Sequence, residues 1–168
     1  MQDQEAFIRL VNENRGILFK VCRMYGATEA DRQDLFQEML IQLWRSYPAF
    51  RGESRFSTWL YRIALNTAIS DLRKQRRKVY SMDPDLLPTH LQDIQYSTEK
   101  EDLLQQLYAA INRLTEIEKA LTMLYLEDKS YQEMEEILGI PQNNLRVKMN
   151  RIKEKLRKMT KEAAYGIR

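Results

Sequence analysis

Glycine and proline are scarce in this sequence, and they cluster between stretches of regular apolar spacing. There are five Gly and four Pro in 168 residues. Gly26, Pro48, Gly52 and the Gly139-Ile140-Pro141 run punctuate segments whose apolar residues recur every three or four positions. That spacing is the repeat of one face of an α-helix. The expectation is an all-α chain.

The helices are expected in the following order. Gln4 to Asn14 carries Phe7, Leu10 and Val11 on one side, and Ile17 to Tyr25 continues as a second segment with Leu18, Val21 and Cys22. Gly26 stands where a helix C′ glycine belongs, and Thr28 offers the next N-cap with Asp31 three residues on. The helix that follows, to about Ser46, has apolar positions on more than one face, edged by Asp34, Gln37 and Glu38. Burial between two helices explains that pattern, and so does packing inward while docking a partner outward.

From Ala49 to Lys78 a polar loop holding Gly52 and Ser54 runs into a long helix that ends in a basic run. At 100° per residue Trp59, Arg62, Asn66, Arg73 and Arg77 fall in a band of roughly 60°. An aromatic plane, an amide and three guanidinium groups can stack on a base, bond its edge and hold phosphates. A plain amphipathic helix with a solvated basic end fits as well. Leu60, Ile63, Ala64 and Thr67 form its expected core stripe; Trp59 and Phe56 lie on the border.

Residues 79–98 have no sustained period, contain Asp83-Pro84-Asp85 and Leu87-Pro88-Thr89, and read as an extended acidic linker. The chain therefore divides into two small helical domains, 1–78 and 99–168. In the second, Leu103, Leu107, Ile111 and Leu114 mark one helix. Thr115 with Glu118 and Ser130 with Glu133 form capping boxes that open the next two. After the Gly139 turn a last helix runs from Gln142 to about Met159, burying Leu145, Met149, Ile152 and Leu156.

A capped helix, a short Gly turn and a basic helix make a helix-turn-helix. Opposite the buried stripe lie Asn143, Arg146, Val147, Asn150, Arg151 and Arg157. Asn suits adenine, Arg suits guanine and Val147 suits a thymine methyl; Lys148, Lys155 and Lys158 suit phosphates. Charge agrees with this reading. Six Lys and Arg lie between Arg62 and Lys78 against Asp71, and eight lie between Arg146 and Lys161 against Glu154. The residues between these blocks are acidic. That is the pattern of two contacts with one polyanion.

Other function classes find little support. No apolar run reaches the length of a membrane span, and the first residues lack the basic start and apolar run of a signal peptide. Cys22 and His90 each stand alone, which gives no disulfide or metal cluster and fits a reducing cytoplasm. There is no triad and no phosphate-cradling glycine loop. No cofactor, no metal and no catalysis are expected.

With both halves read, the chain resembles a bacterial extracytoplasmic-function sigma factor of the sigma-70 family. The resemblance rests on DRQDLFQEMLIQLWRSYPAFRGESRFSTWLYRIALNTAISDLRKQRRK, similar to region 2, and LTEIEKALTMLYLEDKSYQEMEEILGIPQNNLRVKMNRIKEKLRKM, similar to region 4. It implies a subunit that binds core RNA polymerase through the β′ clamp and the β flap, and that directs initiation at specific promoters. It implies polymerase contacts by Asp34, Gln37, Glu38 and Ile41. The loop Phe50 to Ser57, with Arg51, Ser54 and Phe56, would capture a base flipped from the −10 strand beside Asn66. The helix from Gln142, with Asn143, Asn144, Arg146, Val147, Lys148, Asn150 and Arg151, would read the −35 duplex. The linker would thread toward the active centre, and an anti-sigma factor would cover the polymerase-binding surfaces.

One departure matters. Where many members carry Gly-Thr-Val-Lys-Ser-Arg, this chain has Asn143-Asn144-Leu145-Arg146-Val147-Lys148, so the family's −35 sequence does not transfer. A helix-turn-helix regulator that works without polymerase, and an RNA-binding adaptor, stand as rivals.

Overall fold

The computed structural model describes residues 2–79 and 99–165, with side chains for 4–75 and 106–161. Most of the expected linker lies outside the described residues. The described residues form seven α-helices: α1 Gln2–Tyr25, α2 Glu29–Ser46, α3 Phe56–Val79, α4 Glu99–Asn112, α5 Glu116–Leu126, α6 Tyr131–Leu138 and α7 Gln142–Tyr165. A 3₁₀ turn, Tyr47–Ala49, follows α2.

Two helices are longer than expected. α1 runs straight through Gly16, because Phe7, Val11, Leu18, Val21, Cys22 and Tyr25 stay in phase on one buried face. That shared burial outweighs the roughly 1 kcal/mol a helical glycine costs. α7 continues past Met159 to Tyr165 because no breaker intervenes before Gly166.

All three expected N-caps form. Thr28, Thr115 and Ser130 each accept the backbone N–H of the residue three places on, and Asp31, Glu118 and Glu133 reach back to the cap N–H. Each box satisfies two donors that a helix start otherwise leaves to water. Backbone bonding from Ser130 is the main reason that the Glu133 carboxyl sits below its ordinary range.

α1, α2 and α3 pack on one another, and α7 packs on α4, α5 and α6. α3 also packs against α6 and α5. This second set of neighbours changes which residues of α3 are core. Leu60 and Ala64 are buried as expected, but so are Tyr61, Leu65, Ala68 and Ile69. Ile63 and Thr67, expected in the core stripe, are half-buried and face a cleft toward α2.

Two tyrosines carry the seam between the halves. The Tyr25 hydroxyl donates to the Glu116 carbonyl at 2.6 Å. The Tyr61 ring lies under the Lys129 ammonium, 5.8 Å from its centroid. Lys20 pairs with Glu127 across the same seam with both side chains substantially exposed, an arrangement worth about 0–1 kcal/mol. Burying a large apolar side chain is worth about 1.5–3 kcal/mol, so packing rather than charge holds the halves together.

Burial first, and the nearby Glu116 carboxylate second, push the Tyr25 phenol far above its ordinary value. Burial and Glu127 push Tyr61 up to about 12. Both phenols are neutral in the fold. The stability they contribute is therefore full below about pH 10, and is lost as pH rises through the raised value of Tyr61. Urea midpoints should fall on raising pH above 10, and less steeply for the Tyr25→Phe/Tyr61→Phe double variant.

Gly26 is a second sensitive point. A Cβ there would stand 2.6 Å from Arg32 Cγ and 2.9 Å from the Cys22 carbonyl oxygen. Gly26→Ala should cost about 1–3 kcal/mol by overpacking, measured by urea unfolding at neutral pH.

Candidate nucleic-acid interface

The first candidate surface is α3 with the loop before it. Arg62, Asn66 and Arg73 are exposed in one stripe, and Arg51 is exposed in the loop. Arg77 continues the stripe on α3, but its side chain lies outside the described residues. Ser54 is half-buried.

Three aromatic residues fix the loop to the helix. Phe50 lies 5.1 Å from Trp59 and 5.5 Å from Phe56, and Phe56 lies 5.3 Å from Trp59. Tyr47 closes the cluster against Phe50, Trp59 and Phe7. Such pairs add about 0.5–1.5 kcal/mol beyond area burial. Phe50, Phe56 and Trp59 therefore anchor the loop with half-buried rings, while Arg51, Arg62 and Asn66 remain turned outward.

Beside Asn66 opens a polar cleft of about 320 Å³ between α2 and α3. Glu38, Gln42 and Ser46 line one wall; Asn66, Thr67, Ser70, Asp71 and Lys74 line the other. Glu38 belongs to this cleft, where the Gln42 amide donates to it at 2.7 Å. Its expected companions Asp34, Gln37 and Ile41 point outward and are exposed.

Sequence reading missed an apolar groove between α1 and α2. Phe7, Ile8, Val11, Leu40, Ile41 and Trp44 enclose about 470 Å³, with Asn12 and Arg45 beside them. Trp44 is 46% exposed and Ile8 49%. The available signal was phase: both residues stand off the buried stripes Phe7–Val11–Leu18 and Leu35–Met39–Leu43. Phe19 and Phe36 stack at 5.3 Å on the same pair of helices.

The second candidate surface is α7. Gly139 caps α6 in the left-handed region, at φ 68°, a conformation that costs a glycine little. The turn sends α7 off with Leu145, Met149 and Ile152 buried against Met134 and Ile137 in a shared core. Asn143, Asn144, Arg146, Val147, Lys148, Asn150 and Arg151 are exposed together on the opposite side.

Several residues of this helix are engaged within the scaffold as well, Gln142 and Lys155 among them. The Gln142 amide donates to Glu135 at 2.9 Å, tying the start of α7 to α6. Lys155, expected at phosphates, lies 3.0 Å from Glu118 on α5. Burial acts to raise the Glu118 carboxyl, yet the Thr115 amide and Lys155 outweigh it and hold it below its usual range. Lys148 and Lys158 remain exposed.

Cys22 is buried, and burial pushes its thiol up to about 11 against a smaller pull from Arg32. Among the described residues no group of His, Cys, Asp and Glu could hold a metal ion, and no helix is long and apolar enough to cross a membrane.

Comparison with known proteins finds two family matches in this chain. Residues 10–78 match the sigma-70 region 2 family, and residues 104–156 match the sigma-70 region 4 family. The ECF RNA polymerase sigma-E factor of Haemophilus influenzae is 34% identical over 166 residues, covering 90% of this chain and 86% of that protein. The protein of the same description from Escherichia coli K12 is 32% identical over 163 residues, covering 90% and 85%. Among solved structures, the Bartonella quintana sigma factor RpoE, crystallised with the anti-sigma factor NepR, superposes with a TM-score of 0.75. It is 21% identical, with 94% of this chain and 98% of that chain covered. CnrH, solved with the cytosolic domain of CnrY, superposes at 0.63 and 20% identity, covering 93% and 88%.

The aromatic anchor makes a simple expectation. Phe56→Ala should destabilise the fold by about 2–3 kcal/mol, below the 3–5 kcal/mol of a fully buried ring. Arg55→Ala, at an exposed neighbour, should stay within about 0.5 kcal/mol. Equal urea midpoints for the two variants would remove the anchoring role.

Proposed function

The chain belongs to the sigma-70 family, in its extracytoplasmic-function class, and we propose that its two exposed surfaces divide promoter recognition between them. The protein is an RNA polymerase sigma factor. It binds core polymerase and directs initiation at promoters by recognising a −35 duplex and a −10 single strand.

In the proposed division, α7 lies in the major groove at −35. Asn143, Arg146, Val147 and Asn150 meet base edges, and Lys148 and Arg151 meet phosphates. At −10, Arg62, Arg73 and Arg77 hold the strand along α3, and Asn66 bonds the edge of a flipped base. The loop from Phe50 to Ser57 walls that base in, with Arg51 and Ser54 at its rim. Flipping costs a few kcal/mol, which neutralised phosphates and a fitted pocket offset.

Asp34, Gln37, Glu38 and Ile41 are the proposed contacts to the β′ clamp, and region 4 is the proposed contact to the β flap. The observation that carries the division is the separation of two outward polar stripes, on α3 and α7, each on a helix whose other faces are buried.

The protein supplies binding and strand separation, and the polymerase supplies the chemistry. It works in the cytoplasm, with the polymerase. The exposed apolar groove and the likeness to a sigma factor crystallised with an anti-sigma factor support control by such an inhibitor on the α1–α2 face.

Run-off transcription with purified core polymerase and fragments of the source genome tests the function. Start sites dependent on added protein are expected; failure both to bind core and to initiate would falsify the assignment. Asn66→Ala should slow strand opening, read by permanganate reactivity at −10, with core affinity unchanged. Arg146→Ala should relax base preference at one −35 position by about 1–3 kcal/mol, with little change elsewhere in the element.

A further inference from the structure

Arg146 does not project from α7 as a free cation. Its guanidinium carbon lies 5.3 Å from the centre of the Tyr131 ring. Tyr131 is the first residue of α6, half-buried and packed against the core. Its backbone is set by the Ser130–Glu133 capping box, in which Ser130 accepts from the Glu133 N–H at 3.2 Å and Glu133 accepts from the Ser130 N–H at 2.9 Å. The spacing of α6 from α7 is fixed separately by the Gln142–Glu135 bond and by burial of Met134, Ile137, Leu145 and Met149. The ring is thus a rigid part of the first helix of the helix-turn-helix, placed under a side chain of the second.

A guanidinium has two chemically different aspects. Its flat face stacks on aromatic rings, and its five N–H bonds all point outward in its plane. Reading guanine uses two of those in-plane donors, on O6 and N7. No hydrogen bond ties Arg146 to Tyr131 beside this cation–π contact, so the contact spends none of the donors that base recognition needs. It restrains a side chain that otherwise loses much rotamer freedom on being ordered. Lys155 shows the contrasting arrangement, since its ammonium donates to the Glu118 carboxylate.

We propose that Tyr131 is a positioning residue for −35 recognition: its ring restrains the Arg146 guanidinium by a cation–π contact, leaving the N–H donors for a guanine in the major groove. This rests on the reading of α7 as the duplex reader. Tyr131 itself contacts no base in this scheme. A cation–π contact at an exposed site corresponds to a factor of about two to five in an equilibrium. That factor is expected in selectivity at one base pair, and is expected to leave non-specific affinity unchanged.

The test uses holoenzyme made with the full chain, and a duplex promoter library randomised across the −35 region. Enrichment of each base at each position is the readout. Arg146→Ala should relax one position. Tyr131→Leu, which keeps bulk and removes the π face, should weaken preference at that same position by about two- to fivefold. Tyr131→Phe should retain the wild-type preference. In the Arg146→Ala background, Tyr131→Leu should have no further effect, and the salt dependence of binding should not change in any Tyr131 variant.

If Arg146→Ala relaxes a position and Tyr131→Leu leaves it intact, the positioning role is refuted while the duplex reader stands. If Arg146→Ala relaxes nothing, the assignment of Arg146 and the positioning role fall together. A uniform loss at all positions, with a lowered unfolding midpoint, would make Tyr131 a structural residue only and also overturn the proposal.

Discussion

The burial of α3 on two sides is the constraint on which the rest of this structure depends. One side faces α1 and α2, the other faces α6 and α5. A helix clamped in this way has a narrow outward strip left to it, and Arg62, Asn66 and Arg73 occupy that strip. The long basic helix is held rigid by Leu60, Tyr61, Ala64, Leu65, Ala68 and Ile69. An outward stripe on a helix packed in this way is already ordered, so a ligand that meets it spends less contact energy on conformational entropy.

The polar side chains divide by the same logic. Those that set helix against helix are paired: Glu118 with Lys155 and Glu135 with Gln142. Most of those that face outward from α7 and α3, Asn143, Lys148, Arg62 and Asn66 among them, are exposed. Charge on this protein is therefore not one basic coat. Part of it is structural and part is available, and a count of lysines and arginines does not separate the two.

Much of this was legible in the residues. The Thr28, Thr115 and Ser130 boxes name their helix starts, because a capping side chain and its partner three places on are a local interaction. The Gly139-Ile140-Pro141 turn and the phase of Leu145, Met149 and Ile152 give α7 its orientation. What could not be read is what depends on distant partners. Tyr61 and Leu65 are buried because α5 and α6 come back onto α3, and no period within α3 announces a second covering layer. Lys155 looked like a phosphate ligand because Glu118 lies 37 residues away in the chain. Trp59 and Phe56, left on a border by the helical wheel, take their role from Phe50 and Tyr47 across a turn. Gly16 marked a break that did not occur, since the buried stripe on either side of it is in register.

The seam formed by Tyr25, Tyr61 and Lys20 has a geometric consequence for a protein that must touch DNA in two places. Elements at −35 and −10 lie 25 base pairs apart (35 − 10), about 85 Å along B-form DNA at roughly 3.4 Å per base pair. α3, at 24 residues, is about 36 Å long, and α6, next to the reading helix, rests directly against it. Halves sharing one core cannot straddle such a span. In this arrangement both halves are held to one core, and the packing across the seam is what opposes their separation.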